Sequence, residues 1–204
     1  MAKRVEHTLF SITSWLLQHV VYYFCRWYFF QLKGWSVTAS PQLKQVQKPV
    51  IFAVAPHLSH TDVVIVPASI PIHLLPVRWL ADKKIFSGRI KSFWLKLWGA
   101  IPVERDQSGS IGLDDIERIL DYAMNGNCIG VFPECCLVGG RFGDPHRDLV
   151  VSAITSNICV VPVSLSGNEG SAQPFPHNSF VQNTRISIGD PLTDAMDLLD
   201  GLTS

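Results

Sequence analysis

The chain has 204 residues, enough for one domain with a sizeable core, and its 17 Lys and Arg balance its 17 Asp and Glu. A sequence pI near 7 and the lack of any recognition motif speak against a nucleic-acid partner. The five cysteines are single except for Cys135-Cys136, which fits neither a zinc ribbon nor a secreted disulfide framework and makes a reducing cytosol the default. The charge is lopsided along the chain: residues 1–105 hold 13 Lys and Arg against 4 Asp and Glu, and residues 106–204 hold 4 against 13. A dipole of this kind orients a protein toward an anionic membrane or a polyanionic cofactor, provided the sequence halves are also spatial halves.

Residues 8–32 are rich in Leu, Val, Phe, Tyr and Trp and have no small-residue cleavage signal. Ser11, Ser14, Gln18, Tyr22 and Arg26 recur at steps of three to four residues, which draws one polar stripe along a helix. A continuous stripe fits a helix lying in a membrane interface, or docked on the domain, better than one crossing lipid, where Arg26 would be costly. A core helix of a soluble fold is the plainer alternative. Residues 1–34 therefore read as a membrane-associated amphipathic segment, monotopic or anchored by a single helix, and residues 35–204 as the domain.

Beyond it, apolar runs and helical spacings alternate. Strands are predicted near 36–38, 50–55, 77–81, 100–103, 128–132, 159–165 and 184–188. Helices are predicted at about 62–70, 87–98, 112–124 and 148–156, with Ile116, Ile119, Leu120 and Ala123 at helical spacing. This order implies an α/β fold, a single mixed sheet flanked by helices. The glycine-rich stretch 133–147 reads as a long loop able to move over a site. In the predicted helix 87–98 and the residues before it, Lys83, Lys84, Arg89, Lys91 and Lys96 interleave with Phe86, Phe93, Trp94 and Trp98. Rings beside cations suit a lipid interface; a solvated helix with a core stripe shows part of the same pattern.

The strand Val50–Ala55 stops at Pro56, and the polar cluster His57-Leu-Ser-His60-Thr-Asp62 follows before another apolar run begins. Sites of open α/β sheets form where a strand hands over to a helix in this way. A neutral imidazole takes a proton from a hydroxyl near pH 7, and a carboxylate holds the ring and stabilises the imidazolium. His57 and Asp62 thus read as a general base and its orienter, with the attacking hydroxyl supplied by a substrate. Ser59, Thr61 or Asp62 equally fits the cap of the following helix. His57, His60 and Asp62 also suit a zinc site, for which only His73, His146 and His177 lie downstream.

Three further blocks follow. Gly99-Ala-Ile-Pro-Val-Glu-Arg105 is a short strand ending in an arginine that can fork two hydrogen bonds onto a phosphate, or simply sit at the surface. Phe132-Pro133-Glu134 closes a core strand, and Val161-Pro162-Val163 lies inside another.

Together these four blocks, spread over about residues 35 to 190, resemble the glycerolipid acyltransferase family, which includes the 1-acylglycerol-3-phosphate (lysophosphatidate) acyltransferases. That family carries His-x4-Asp, Gly-x-Ile-Pro-x-x-Arg, Phe-Pro-Glu-Gly-Thr-Arg and a Val-Pro-Val strand. The resemblance implies an O-acyltransferase of phospholipid biosynthesis. It would move an acyl chain from an acyl-CoA or acyl-carrier-protein thioester to a lysolipid hydroxyl, most simply that of 1-acyl-sn-glycerol 3-phosphate. It would use no metal or redox cofactor and work at the cytoplasmic face of the cell membrane. His57 and Asp62 would be catalytic, with Arg105, Glu134 and Arg141 binding substrate. Three departures stand out. Cys135-Cys136-Leu137 replaces Gly-Thr-Arg, so an expected arginine is lost unless Arg141 or Arg147 serves instead. The basic segment that usually follows is also missing, and Pro56 stands where Asn is common. A catalytically weak lipid-binding protein keeping the fold, and a zinc hydrolase, are the alternatives.

Overall fold

The structure is a computed structural model that describes residues 2–55, 62–105, 111–132, 137–138, 141–142, 147–166 and 184–193. For residues 2–11, 137–138, 141–142 and 147 it describes the backbone alone. In chain order, α1 (Ala2–Cys25) runs into a π-helical turn (Arg26–Leu32), then β1 (Ser36–Ala39), β2 (Val50–Ala55), α2 (Asp62–Ser69), β3 (Val77–Asp82) and α3 (Arg89–Trp98). After these come β4 (Ile101–Val103), α4 (Leu113–Met124), β5 (Cys128–Val131), β6 (Leu137–Val138), β7 (Arg141–Phe142), α5 (Arg147–Thr155), β8 (Cys159–Ser166) and β9 (Arg185–Ile188).

Seven strands form one mixed sheet in the order β1-β9-β8-β2-β5-β3-β4. The strands from β8 to β4 are mutually parallel, and β9 turns antiparallel to β8. Parallel strands need both faces covered, so they read as unbroken apolar runs. In β2 this is literal: Val50, Phe52 and Val54 enter one core and Ile51 the other, all fully buried. The first core is closed by α2, Cys25 and Phe29. The second is closed by α4 and α5 through Ile116, Ile119, Leu120, Leu149 and Ala153.

The N-terminal helix corrects a simple interfacial picture of its polar stripe, because Ser14 and Gln18 are fully buried against the domain. Gln18 Nε2 donates to the Val77 carbonyl at 2.7 Å and the Trp98 carbonyl at 3.0 Å, while Val77 N–H donates to Gln18 Oε1 at 2.9 Å. Ser14 Oγ adds a bond to the Trp98 carbonyl at 3.2 Å. The stripe thus completes the start of β3 and caps the orphan Trp98 carbonyl at the C-terminus of α3. The side chains turned away from the domain are apolar: Ile12, Trp15, Leu16, Val20, Tyr23, Phe24 and Trp27 are exposed, Val20 by 68%. The division at residue 34 is one of sequence character rather than packing, since Cys25 and Phe29 share a core with β2. Among the described residues no helix is long and apolar enough to cross a membrane.

Gln18→Leu should therefore destabilise the domain strongly. It leaves the Val77 N–H and carbonyl without their side-chain partner, and each unsatisfied buried group costs about 1–3 kcal/mol. Thermal unfolding of the variant should fall by several degrees, roughly 2–4 °C per kcal/mol for a chain of this size. An unchanged midpoint would show that α1 is not docked through this seam.

Two contacts fix the remaining geometry. Pro67 inside α2 has no N–H to give to the Val63 carbonyl, and Trp98 Nε1 donates to that carbonyl at 3.4 Å. Gly99 ends α3 in the left-handed region, φ 87°, and a Cβ there would meet Ser14 Oγ at 2.7 Å. The glycine of the second sequence block is thus required both by the helix end and by the approach of α1.

Candidate active site

In the parallel part of the sheet the C-terminal ends of β2, β5, β3 and β4 share one edge, and three of the four sequence blocks leave the sheet there. His57 lies two residues past the end of β2, and Glu134 three past the end of β5; both, with His60, Cys135 and Cys136, are outside the described residues. Asp62 is described: it opens α2 and is only 5% exposed. The positive end of the helix favours a carboxylate in that position. α2 in turn is wedged between α1 and the sheet by Ile65, Val66 and Ala68, so Asp62 stands on a rigid element.

Arg105 follows the edge strand β4, is half-buried, and its backbone bridges to Ile111. Three interstrand spacings separate β4 from β2, about 14 Å. Along this edge the ends of β5 and β3 lie between the end of β2, which precedes the His-x4-Asp block in the sequence, and the end of β4, which precedes Arg105.

A brace that sequence reasoning did not foresee fixes the backbone at Arg105. Asp115 Oδ2 accepts from the Glu104 N–H at 2.8 Å, and Arg118 Nη2 donates to Asp115 Oδ1 at 2.7 Å and to the Pro102 carbonyl at 2.9 Å. Glu104 also pairs with Lys83, whose ammonium is held above its usual range chiefly by that carboxylate. These groups line a cleft of about 590 Å³ beside the strand end, together with Gly112, Leu113 and Asp114. The only sequence signal was an acid in the first turn of α4, which reads equally well as dipole compensation.

Phe132 directly follows β5 and stacks on Trp79 of the neighbouring strand, with centroids 4.7 Å apart and planes 12° apart. Trp79 lies across Gly130, where a Cβ would come within 2.5 Å of the indole. The apolar residue of the Phe-Pro-Glu block thus anchors the strand end from which Glu134 departs.

The stretch 133–147 departs from the expected plain loop: β6 and β7 pair antiparallel, Leu137 with Phe142 and Val138 with Arg141. In the sequence Gly139-Gly140 stands between Leu137-Val138 and Arg141-Phe142, a two-residue hairpin signal. This pairing sets the backbone of Arg141 opposite Val138, the residue after the Leu137 that replaces arginine. Arg147 is the first residue of α5.

The described cysteines are poor nucleophiles, because the thiolate is the reactive form. Burial pushes Cys25 up to about 11 and Cys128 up to about 12, and raises Cys159 as well. Among the described residues no three His, Cys, Asp or Glu are grouped to hold a metal ion. His73 instead donates from Nε2 to the Val46 carbonyl at 3.0 Å.

Comparison with known proteins agrees with this geometry. The family model described as acyltransferase matches residues 37–166, more than half of the chain. The crystal structure of the 1-acyl-sn-glycerophosphate (LPA) acyltransferase PlsC from Thermotoga maritima has the same fold, with a TM-score of 0.58 at 14% identity over 91% of this chain and 75% of that one. No curated protein matches in sequence. The chain belongs to the acyltransferase family, the one its four blocks resemble, and is an acyltransferase.

Proposed function

We propose that the enzyme transfers a fatty acyl chain from an acyl-CoA or acyl-carrier-protein thioester to the free hydroxyl of 1-acyl-sn-glycerol 3-phosphate. The observation that supports this reading is the shared C-terminal edge of β2, β5 and β4, the strands that precede His57 and Asp62, Glu134, and Arg105 in the sequence. His57 removes the proton of the acceptor hydroxyl while Asp62 steadies the imidazolium. The oxygen attacks the thioester carbonyl, and backbone N–H groups at the strand ends stabilise the oxyanion. Collapse forms the ester bond and breaks the C–S bond, and the departing thiolate takes the proton back from His57. Arg105 holds the acceptor phosphate, assisted by Glu134, and Arg141 serves in place of the arginine missing at position 137.

The reaction takes place at the cytoplasmic face of the cell membrane, where both lipid substrate and lipid product reside. Supporting this are the outward apolar face of α1 and the exposed Ile90, Phe93 and Trp94 of α3, which sit among Arg89, Lys91 and Lys96. Contiguous apolar surface rimmed by cations fits a helix lying in lipid headgroups. The test is a transfer assay with one acyl-CoA and four acceptors: lysophosphatidate, glycerol 3-phosphate, lysophosphatidylcholine and a neutral monoacylglycerol. Lysophosphatidate should have the highest kcat/KM. Preference for the monoacylglycerol would remove the phosphate from the assignment.

A further inference from the structure

Resting on the membrane reading above, we infer that the cleft at the end of α1 binds the phosphate of an anionic membrane phospholipid, at a site separate from the reacting edge. The cleft measures about 440 Å³, and Tyr22, Tyr23, Arg26, Trp27, Phe30 and Gln31 supply most of its wall.

Its place on the helix sets its depth. Ser14 and Gln18 face the domain, and Val20, Tyr23, Phe24 and Trp27 face away from it. Tyr22 and Arg26 continue the polar stripe at its border with the apolar face. When that face is immersed, the border lies level with the headgroup phosphates, where Tyr and Trp rings also settle.

Its charge selects the ligand. Arg26 is exposed, and among the described residues it makes no ion pair with a carboxylate. Its one hydrogen bond there runs from Nη1 to the Ala68 carbonyl at 3.1 Å, so most of its five N–H donors remain for a ligand. A guanidinium forks naturally onto a phosphate. The aromatic walls do not make the cleft a choline cage, because the guanidinium already lies against the Tyr22 and Phe30 rings, 5.4 and 5.7 Å from their centroids. A quaternary ammonium would meet a like charge there. The site is therefore built for the anion.

The same guanidinium grips the last turn of α2, the helix that begins at Asp62. A phosphate held at Arg26 is thus joined to the reacting edge by one short rigid helix, and the bound lipid orients that edge toward the bilayer.

The test uses the full-length protein in a flotation assay with phosphatidylcholine vesicles and with vesicles containing phosphatidylglycerol. Arg26→Gln should weaken binding to the anionic vesicles about tenfold or more, the loss of a charge-assisted hydrogen bond, and leave phosphatidylcholine binding unchanged. Lys91→Gln removes the same charge from α3 and should cost about fivefold or less. Equal losses in the two variants would reduce Arg26 to an ordinary surface charge and overturn the site. So would an Arg26→Gln loss of the same size on both vesicles. Native mass spectrometry of the wild type released in detergent guards against a folding defect in the variant: phosphatidylglycerol should be retained in preference to phosphatidylcholine, and equal retention contradicts the proposal. Wild-type protein that floats with neither vesicle would refute the membrane reading itself, whereas flotation without the Arg26 effect would refute only the site.

Discussion

His57→Ala should lower kcat for acyl transfer by about 10²–10⁴-fold, the contribution of a positioned general base. The fold should survive, because the described cores on both sheet faces are built from apolar residues of the strands and helices. Asp62→Asn should also damage turnover, by removing the charge that stabilises the imidazolium and fixes its tautomer. Asp62 is buried at the start of a helix, so the amide variant keeps its shape while losing the anion. His60→Ala should be mild. Steady-state kinetics with circular dichroism on the three variants makes the comparison. If His60→Ala matched His57→Ala, and activity followed added zinc, a metal-dependent hydrolase would explain the cluster better than an acid–base pair.

Arg105→Ala should cost tenfold to a hundredfold in kcat/KM for a phosphorylated acceptor, from the loss of a charge-assisted hydrogen bond worth roughly 1.5–3 kcal/mol. The acceptor KM should rise more than the donor KM. The structure sharpens this expectation, because the backbone is tied down at Glu104 by Asp115 and at Arg105 by the bridge to Ile111. A backbone already fixed adds no ordering cost of its own when the side chain binds. Comparing lysophosphatidate with its neutral monoacylglycerol in wild type and Arg105→Ala isolates the phosphate. Were both acceptors affected alike, Arg105 would be a structural residue of the β4 end.

The sheet was legible because its central strands are buried on both faces. Val50–Ala55, Cys128–Val131 and Cys159–Ser166 are apolar runs bounded by Pro, Gly or polar clusters, and α4 repeats its apolar positions with helical spacing. What local patterns do not carry is the identity of distant partners. The stripe of Ser14, Gln18 and Arg26 is plain in the sequence, yet periodicity separates faces without saying which one meets the protein. Gln18 finds its partner at Val77, 59 residues away. The brace of Asp115 and Arg118 was hidden for the same reason, since its target is a strand end in another element. The β6–β7 pair is two residues per strand, too short to show alternation. The π-helical turn at Arg26–Leu32 has no sequence signal that we can identify.

The most direct test of the mechanism is thiol release from an acyl-CoA by purified enzyme, followed with and without lysophosphatidate while the intact protein mass is recorded. An acceptor hydroxyl activated by His57 predicts thiol release only when acceptor is present, equal in amount to the phosphatidate formed, and no mass gain on the protein. One equivalent of thiol released without acceptor, with the protein heavier by one acyl group, would contradict the account and place the nucleophile on the enzyme.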